Sequence, residues 1–329
     1  MSGLAPFCIE LQPAARADEL LNDPQVFAML RFTQKSRVDA TNPGHIDIAM
    51  PPAGGQEYIE VWRSPHTLQP GQHGPVHYLY CDDFLFGSLY IGDQDFDDVA
   101  DATAHAYQEI HDTLEQAGFP ALLRMWNYFP RINEESHGLE RYRSFCLGRH
   151  TALDAWHFPE EQLPAASAIG TLSEGMVIYF VAGKAPGIQI ENPRQVSAFH
   201  YPPQYGPRSP SFSRATLMDE WRQLYISGTA SIVGHETRHQ DDVAAQLDET
   251  LVNLDAIIEQ ANERYDLGCK GVSDLQLIRV YVRDPENHEL VTRLLEQRFG
   301  PELRYQLVQG DICRTDLLLE IEGMYAHCQ

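Results

Sequence analysis

The sequence predicts an α/β protein made of two related domains, each a mixed sheet with helices packed on one face. Two observations lead there. The element order β-α-β-α-β-β occurs twice along the chain, and the matching elements have similar lengths over about 100 residues. Between the repeats lies a proline-rich segment, 189–223, so the boundary is placed to give domains 1–188 and 189–329.

In the second repeat, LYISGTA (224–230) reads as a buried strand ending on a Ser-Gly turn. The segment 241–265 follows, with Val243, Leu247, Leu251, Leu254 and Ile258 along one face of a long amphipathic helix. LQLIRVYVRD (275–284) is a β-branched strand, and Pro285 opens a helix that Gly300-Pro301 stops. Strands 302–309 and 317–326 complete the copy. The first repeat has strand 84–92, helix 98–118 closed by Gly118, strand 122–132, helix 138–150, and strands 166–172 and 176–184. Within the connecting segment, Pro193, Pro202, Pro203, Pro207 and Pro210 rule out regular helix or central strand. Its aromatic and basic residues suit a rigid loop that lines a site.

Of the 329 residues, 43% are hydrophobic, enough for a well-buried core. The formal charge of −23 disfavours nucleic acid and anionic membrane as partners. An anion would need a local cluster of arginines. No apolar run approaches the roughly 20 residues that cross a bilayer, and the first residues lack a secretory pattern. The expectation is a cytoplasmic protein with six reduced cysteines, at positions 8, 81, 146, 269, 313 and 328. No cysteine or histidine spacing suits a metal. His235 and His239 flank Glu236 without HExxH order, and the aspartate-rich stretch 82–98 lacks EF-hand order. No nucleotide, flavin or pyridoxal motif appears, so no cofactor is expected.

The strand LLLEIEG (317–323) carries the chemistry-bearing anomaly. Alternation puts Leu318, Glu320 and Glu322 on one face. Two carboxylates in an apolar strand must be solvated, paired or used. Aligning MVIYFVAG of the first repeat sets Phe180 against Glu320 and Ala182 against Glu322, so only one copy carries the acids. A glutamate buried this way is raised in pKa and becomes a usable general acid. Cys313 opens the same strand as either an apolar filler or a site residue.

Residues 205–326, with YGPRSPSFSRA, LYISGTA, VYVRD and the closing EIE strand, resemble the Rid (YjgF-type) fold. The whole chain resembles the chorismatases, through NYFPRIN and GLERYRSFCLGR in the first half and YGPRSPSFSRA, SGTASIVGHET and CRTDLLLEIEG in the second. The resemblance implies two Rid-like domains and cofactor-independent cleavage of chorismate to pyruvate and a hydroxybenzoate. In that family the final-strand glutamate is the general acid, here Glu320. Gly228 and Cys313 match positions associated with the product, and the Gly-plus-Cys pair resembles the branch that forms 3-hydroxybenzoate, in some relatives together with the 4-isomer. Arg293, Arg149 and Arg208, with Tyr201 as a hydroxyl partner, are the candidates to hold the two substrate carboxylates. The alternatives are a hydrolase giving a dihydroxycyclohexadiene carboxylate and a non-catalytic Rid-type metabolite-binding protein. The sequence leaves monomer or homo-oligomer open.

Overall fold

In the computed structural model, which describes residues 5–53 and 57–328, the two repeats form six-stranded sheets of identical topology. Residues 1–4 and 329, the outer ends of the two expected domains, lie outside the described residues, as do 54–56. A five-stranded sheet precedes the repeats: β1 (Cys8–Pro13), β2 (Val26–Phe32), β3 (Arg37–Val38), β4 (His45–Ile48) and β5 (Tyr58–Arg63), with the one-turn helix α1 (Ala17–Leu20). It has no counterpart in the second half, and the sequence reading had simply counted it in the first domain.

The first repeat comprises β6 (Gln69–His73), β7 (Val76–Tyr80), β8 (Phe84–Ile91), α2 (Val99–Ala117), β9 (Ala121–Pro130), a hairpin β10 (Glu135–Ser136) and β11 (Leu139–Glu140), α3 (Arg141–Ala155), β12 (Ala165–Thr171) and β13 (Met176–Gly183). The second comprises β14 (Ile188–Ile190), β15 (Ala215–Met218), β16 (Gln223–Thr229), a small hairpin β17 (Ile232–Val233) and β18 (Glu236–Thr237), α4 (Val243–Tyr265), β19 (Leu277–Val282), α5 (His288–Phe299), β20 (Gln306–Gln309) and β21 (Leu319–Ala326). The strand orders are β12-β9-β13-β8-β7-β6 and, read in the same direction, β20-β19-β21-β16-β15-β14. In each, the βαβ crossover gives the single parallel pair, β9–β12 and β19–β20. The repeat is therefore longer than expected. Each copy has two further edge-side strands, and Ala215–Met218 is an inner strand inside the segment expected to hold none. The prolines themselves lie in the irregular stretch before it.

Helix boundaries follow local chemistry. Asp98 and Asp242 cap α2 and α4 by accepting from the backbone N–H of Ala100 and Ala245. Gly118 ends α2 in the left-handed conformation, φ 76°. The expected apolar face of α4 is buried in full and packs on the outer face of the second sheet. Helices α2 and α3 cover the outer face of the first. The inner faces of both sheets, together with the opening sheet, enclose one shared core that includes Trp62, Trp126, Tyr128, Tyr179, Tyr225 and Tyr281. Burial on both faces explains why β9 and β13 are apolar almost throughout.

Strand register corrects the alignment across the repeat. Arg124 of β9 faces Val181, and Arg279 of β19 faces Glu322. Trp126 faces Tyr179, and Tyr281 faces Glu320. The counterparts of Glu320 and Glu322 are thus Tyr179 and Val181, one residue before those aligned. The first copy still lacks both acids.

Glu322 lies at the middle of the shared core. Its carboxylate accepts from Arg124 (2.5 Å), Arg279 (2.6 Å), Tyr281 (2.7 Å), Trp126 Nε1 (3.0 Å) and Ser167 Oγ. Arg279 also grips Glu60 of β5 through two N–H groups. Two arginines and two glutamates balance in charge, and all four are essentially fully buried. Buried ions persist only when paired and fully hydrogen-bonded. This cluster meets that condition, and it joins all three sheets.

The cysteine expectation is corrected at two positions. Cys8 of β1 and Cys328, just after β21, form a disulfide with Cα atoms 6.1 Å apart, while Cys81, Cys146, Cys269 and Cys313 are free. A separation of 320 residues leaves no spacing signal in the sequence. Among the described residues, no helix is long and apolar enough to cross a membrane.

Removing one partner of the ion cluster leaves uncompensated buried charge. Arg279→Met is expected to destabilise the protein by about 3–5 kcal/mol, measured as a lower urea midpoint. An unchanged midpoint would show that the cluster is dispensable for stability.

Candidate active site

A cavity of about 610 Å³ opens where the two repeats meet, within the size range of small-molecule sites. It has contributions from three parts of the chain. Helix α3 and strand β12 of the first repeat supply Tyr142, Arg149 and Ser167; the connecting loop supplies Tyr201, Tyr205, Phe212 and Arg214; the second repeat supplies Gly228, Cys313, Arg314 and Glu320. Although only the second repeat carries the acids, the cavity is shared between both.

Ser227 and Gly228 lie at a register shift between β16 and β21, where two residues of β16 stand opposite Glu322. This bulge is stitched to the first repeat. Ser227 Oγ accepts from Ala166 N–H (2.9 Å), and Gly228 N–H donates to Ser167 Oγ (2.9 Å). Gly228 passes directly beneath the Glu320 side chain, and a Cβ there would collide with the carboxylate. Glycine at this position permits the close approach of the Glu320 carboxylate, which a Cβ would oblige to move; backbone strain is not the reason.

Glu320 and Glu322 share a strand face but not a fate. Glu322 accepts from five side chains, and although burial opposes it, Arg124 and Arg279 hold its carboxyl below the ordinary range. Glu320 is 5% exposed and has no hydrogen-bond partner among the described residues. Burial, reinforced by the neighbouring Glu322 charge and opposed by Arg124 and Arg214, raises its carboxyl to about 8. Cys313, in the same cavity, is pushed to about 12 by burial and then by Glu320, so its thiol stays neutral.

Three guanidinium groups lining the cavity have no carboxylate partner among the described residues. Arg149 is 2% exposed; its Nε is unpartnered, and its neighbours are the rings of Phe145 (4.9 Å) and Phe212 (6.0 Å). Arg214 donates to the Val196 carbonyl (3.0 Å) and Tyr201 Oη (2.8 Å), while its Nε is free. Arg314 lies over Tyr205 at 4.0 Å and donates to the His235 carbonyl (3.0 Å). Two buried cations and one half-buried one, without counterions among the described residues and held by aromatic faces, make an anion site.

Of the residues expected from sequence, Glu320, Cys313, Gly228, Arg149 and Tyr201 come together here. Arg293 does not. It is exposed on α5, which covers the opposite face of the second sheet from Glu320. Arg208 is exposed on the connecting loop and does not line the cavity. Sequence reasoning placed Arg214 only among the basic residues of a loop that lines a site, without a carboxylate-binding role, and missed Arg314 and Ser167. Arg314 follows Cys313 directly and Arg214 is the next-to-last residue of the YGPRSPSFSRA stretch, so position along quoted motifs was an available signal for both.

A family model described as "Chorismatase FkbO/Hyg5-like, N-terminal" matches residues 60–182. A Streptomyces rapamycinicus protein named chorismatase is 39% identical over 284 residues, 82% of this chain and 83% of that protein. The chain belongs to the chorismatase family. A Streptomyces hygroscopicus protein named 3-hydroxybenzoate synthase is 34% identical over 293 residues, covering 85% of this chain and 84% of its own. A chorismatase crystal structure superposes with a TM-score of 0.88 at 33% identity, covering 99% of this chain and all of that one. The similarity thus extends across the two repeats and the opening sheet.

Because Glu320 is raised in the folded state, its ionisation costs stability. The cost begins as pH rises past the usual carboxylate range and is complete above about 8. Glu320→Gln should therefore be more stable than the parent at pH 9, by roughly 2–5 kcal/mol, and gain little at pH 5. Equal denaturant midpoints at pH 9 would mean that Glu320 is not held protonated.

Proposed function

We propose that this chorismatase cleaves chorismate to pyruvate and 3-hydroxybenzoate, with Glu320 as the proton donor. The observation that carries the reading is a buried carboxyl, raised to about 8, facing a cavity with three arginines, none of these groups having an ionic or hydrogen-bonded counterpart of opposite charge among the described residues. Chorismate has two carboxylates and an enol ether, the features this arrangement complements. Arg149, Arg214 and Arg314 hold the carboxylates, and Tyr201, already bonded to Arg214, braces one of them. Arg293 and Arg208 are left out of the assignment.

Glu320 gives its proton to the enol-ether methylene, making an oxocarbenium. The ring C–O bond then breaks, its electron pair completes the ketone of pyruvate, and positive charge is left on the ring carbon. The neighbouring ring hydroxyl oxygen bridges to that carbon and loses its proton to the Glu320 carboxylate. Opening of the bridge at its original carbon and loss of the ring C–H proton yield the 3-hydroxy aromatic acid. Chorismate minus pyruvate equals hydroxybenzoate in atoms, so neither water nor an oxidant is consumed. Capture by water would give the diene diol instead, and opening the bridge the other way would give the 4-isomer. Gly228 leaves room for the ring against Glu320, and the neutral Cys313 thiol shapes the wall beside the migrating oxygen. A cytoplasmic location belongs to this reading; four of the six cysteines are free thiols, and the Cys8–Cys328 disulfide is the feature that runs against it.

Purified protein incubated with chorismate is expected to release pyruvate and 3-hydroxybenzoate in equal amounts, followed by a coupled pyruvate assay and chromatography. No pyruvate above the spontaneous rate overturns the reading in favour of a non-catalytic binding protein. Glu320→Gln should lose about 10²–10⁴-fold in turnover. Activity should fall as pH rises through about 8, where the donor loses its proton. Gly228→Ala, which sets a methyl against the Glu320 carboxylate, should slow turnover and shift products toward the diol; an unchanged ratio would separate Gly228 from product choice.

A further inference from the structure

The two glutamates of β21 differ in every respect except position. They are two residues apart on one strand face, both buried, and the first repeat has neither. Glu322 is saturated with donors from β9, β12 and β19, and lies outside the cavity lining, so it touches no substrate. Ionic stabilisation of the fold would be served by a carboxylate at many places in the core. Here it stands immediately behind the proton donor.

We propose that Glu322 is a positioning residue: a permanently ionised carboxylate that keeps Glu320 protonated and therefore able to act as an acid. The inference rests on Glu320 being the donor. Burial is the first cause of the raised Glu320 carboxyl, and the Glu322 charge adds to it, because like charges side by side in a poorly solvated region do not both ionise readily. Glu322 is bound to two arginines and three further donors, so it carries the charge, and Glu320, with no donor, keeps the proton. The balance of nearby groups is specific. Arg124 from β9 and Arg214 from the connecting loop favour an ionised Glu320. Arg149 from α3 and Arg314 lie further along the cavity and await the substrate's carboxylates, and the acids Glu135, Glu140 and Asp316 line its other walls. Burial raises Tyr142 and Cys313, so both stay neutral. Arg124 touches Glu322 directly, so the two compensate each other, and substitutions at them have opposite effects on the donor. Ser167 joins the two sites physically, bonding both Glu322 and the Gly228 N–H beneath the donor.

The test is the pH profile of kcat/KM for pyruvate release. The parent must first display an alkaline limb that Glu320→Gln abolishes. Without that limb it is the assignment of the donor that fails, not this inference. Glu322→Gln should then move the limb to lower pH by on the order of one unit, because Arg124 is left unopposed beside Glu320. Arg124→Gln should move it to higher pH, and Glu322→Asp, which keeps the charge, should restore the parent limb. Loss of packing alone would lower kcat without opposed shifts in pH. A folded Glu322→Gln with an unmoved limb overturns the proposal, as does a folded Arg124→Gln whose limb moves down. If neither variant folds, infrared titration of the parent decides, with Glu320→Gln and isotope-edited carboxylates for assignment: Glu322 ionised and Glu320 protonated at pH 7 supports the proposal, and the reverse overturns it.

Discussion

Glu322 and the two arginines that hold it form the constraint on which the rest of this structure depends. Arg124 comes from the first repeat, Arg279 and Glu322 from the second, and Glu60, bound by Arg279, from the opening sheet. A charge cluster tolerates little displacement, because a buried ion that loses its partner costs several kcal/mol. Three sheets that could otherwise slide on an apolar interface are fixed in one relative position. Apolar burial supplies most of the driving force, whereas the ions specify the arrangement.

That arrangement sets the site. Joining β12 to the bulge at Ser227–Gly228 brings Ser167 and helix α3 of one repeat against the Glu320 strand of the other. The bulge removes a side chain where the donor needs space, and the connecting loop closes the side with aromatic rings that hold arginines. Duplication produced two similar sheets, but the acids, the glycine contact and the loop all belong to one side of their junction. The outcome is a single asymmetric cavity.

Much of this was legible in the sequence. The order and type of six elements in each repeat followed from apolar periodicity, though two edge-side strands of each copy did not, and the strand alternation placed Glu320 and Glu322 on a common face. The opening sheet was not legible, because strands such as VFAMLRF are short apolar runs without alternation. The one-residue error in aligning Phe180 with Glu320 arose because identity between the copies is faint there, and only pairing with β9 and β19 fixes the register. Arg293 was selected from its helix. Which face of the sheet that helix covers is decided by packing.

The sequence by itself determined the duplicated architecture, the anionic surface that requires clustered arginines, and the one strand with unexplained acids. Those are local or compositional properties, readable from neighbours along the chain. Tertiary structure decided which glutamate is saturated and which is left bare, which arginines go without carboxylates, and that Cys8 meets Cys328. Each of these depends on contacts between segments far apart in sequence, and desolvation is a property of the assembled surroundings rather than of the residue.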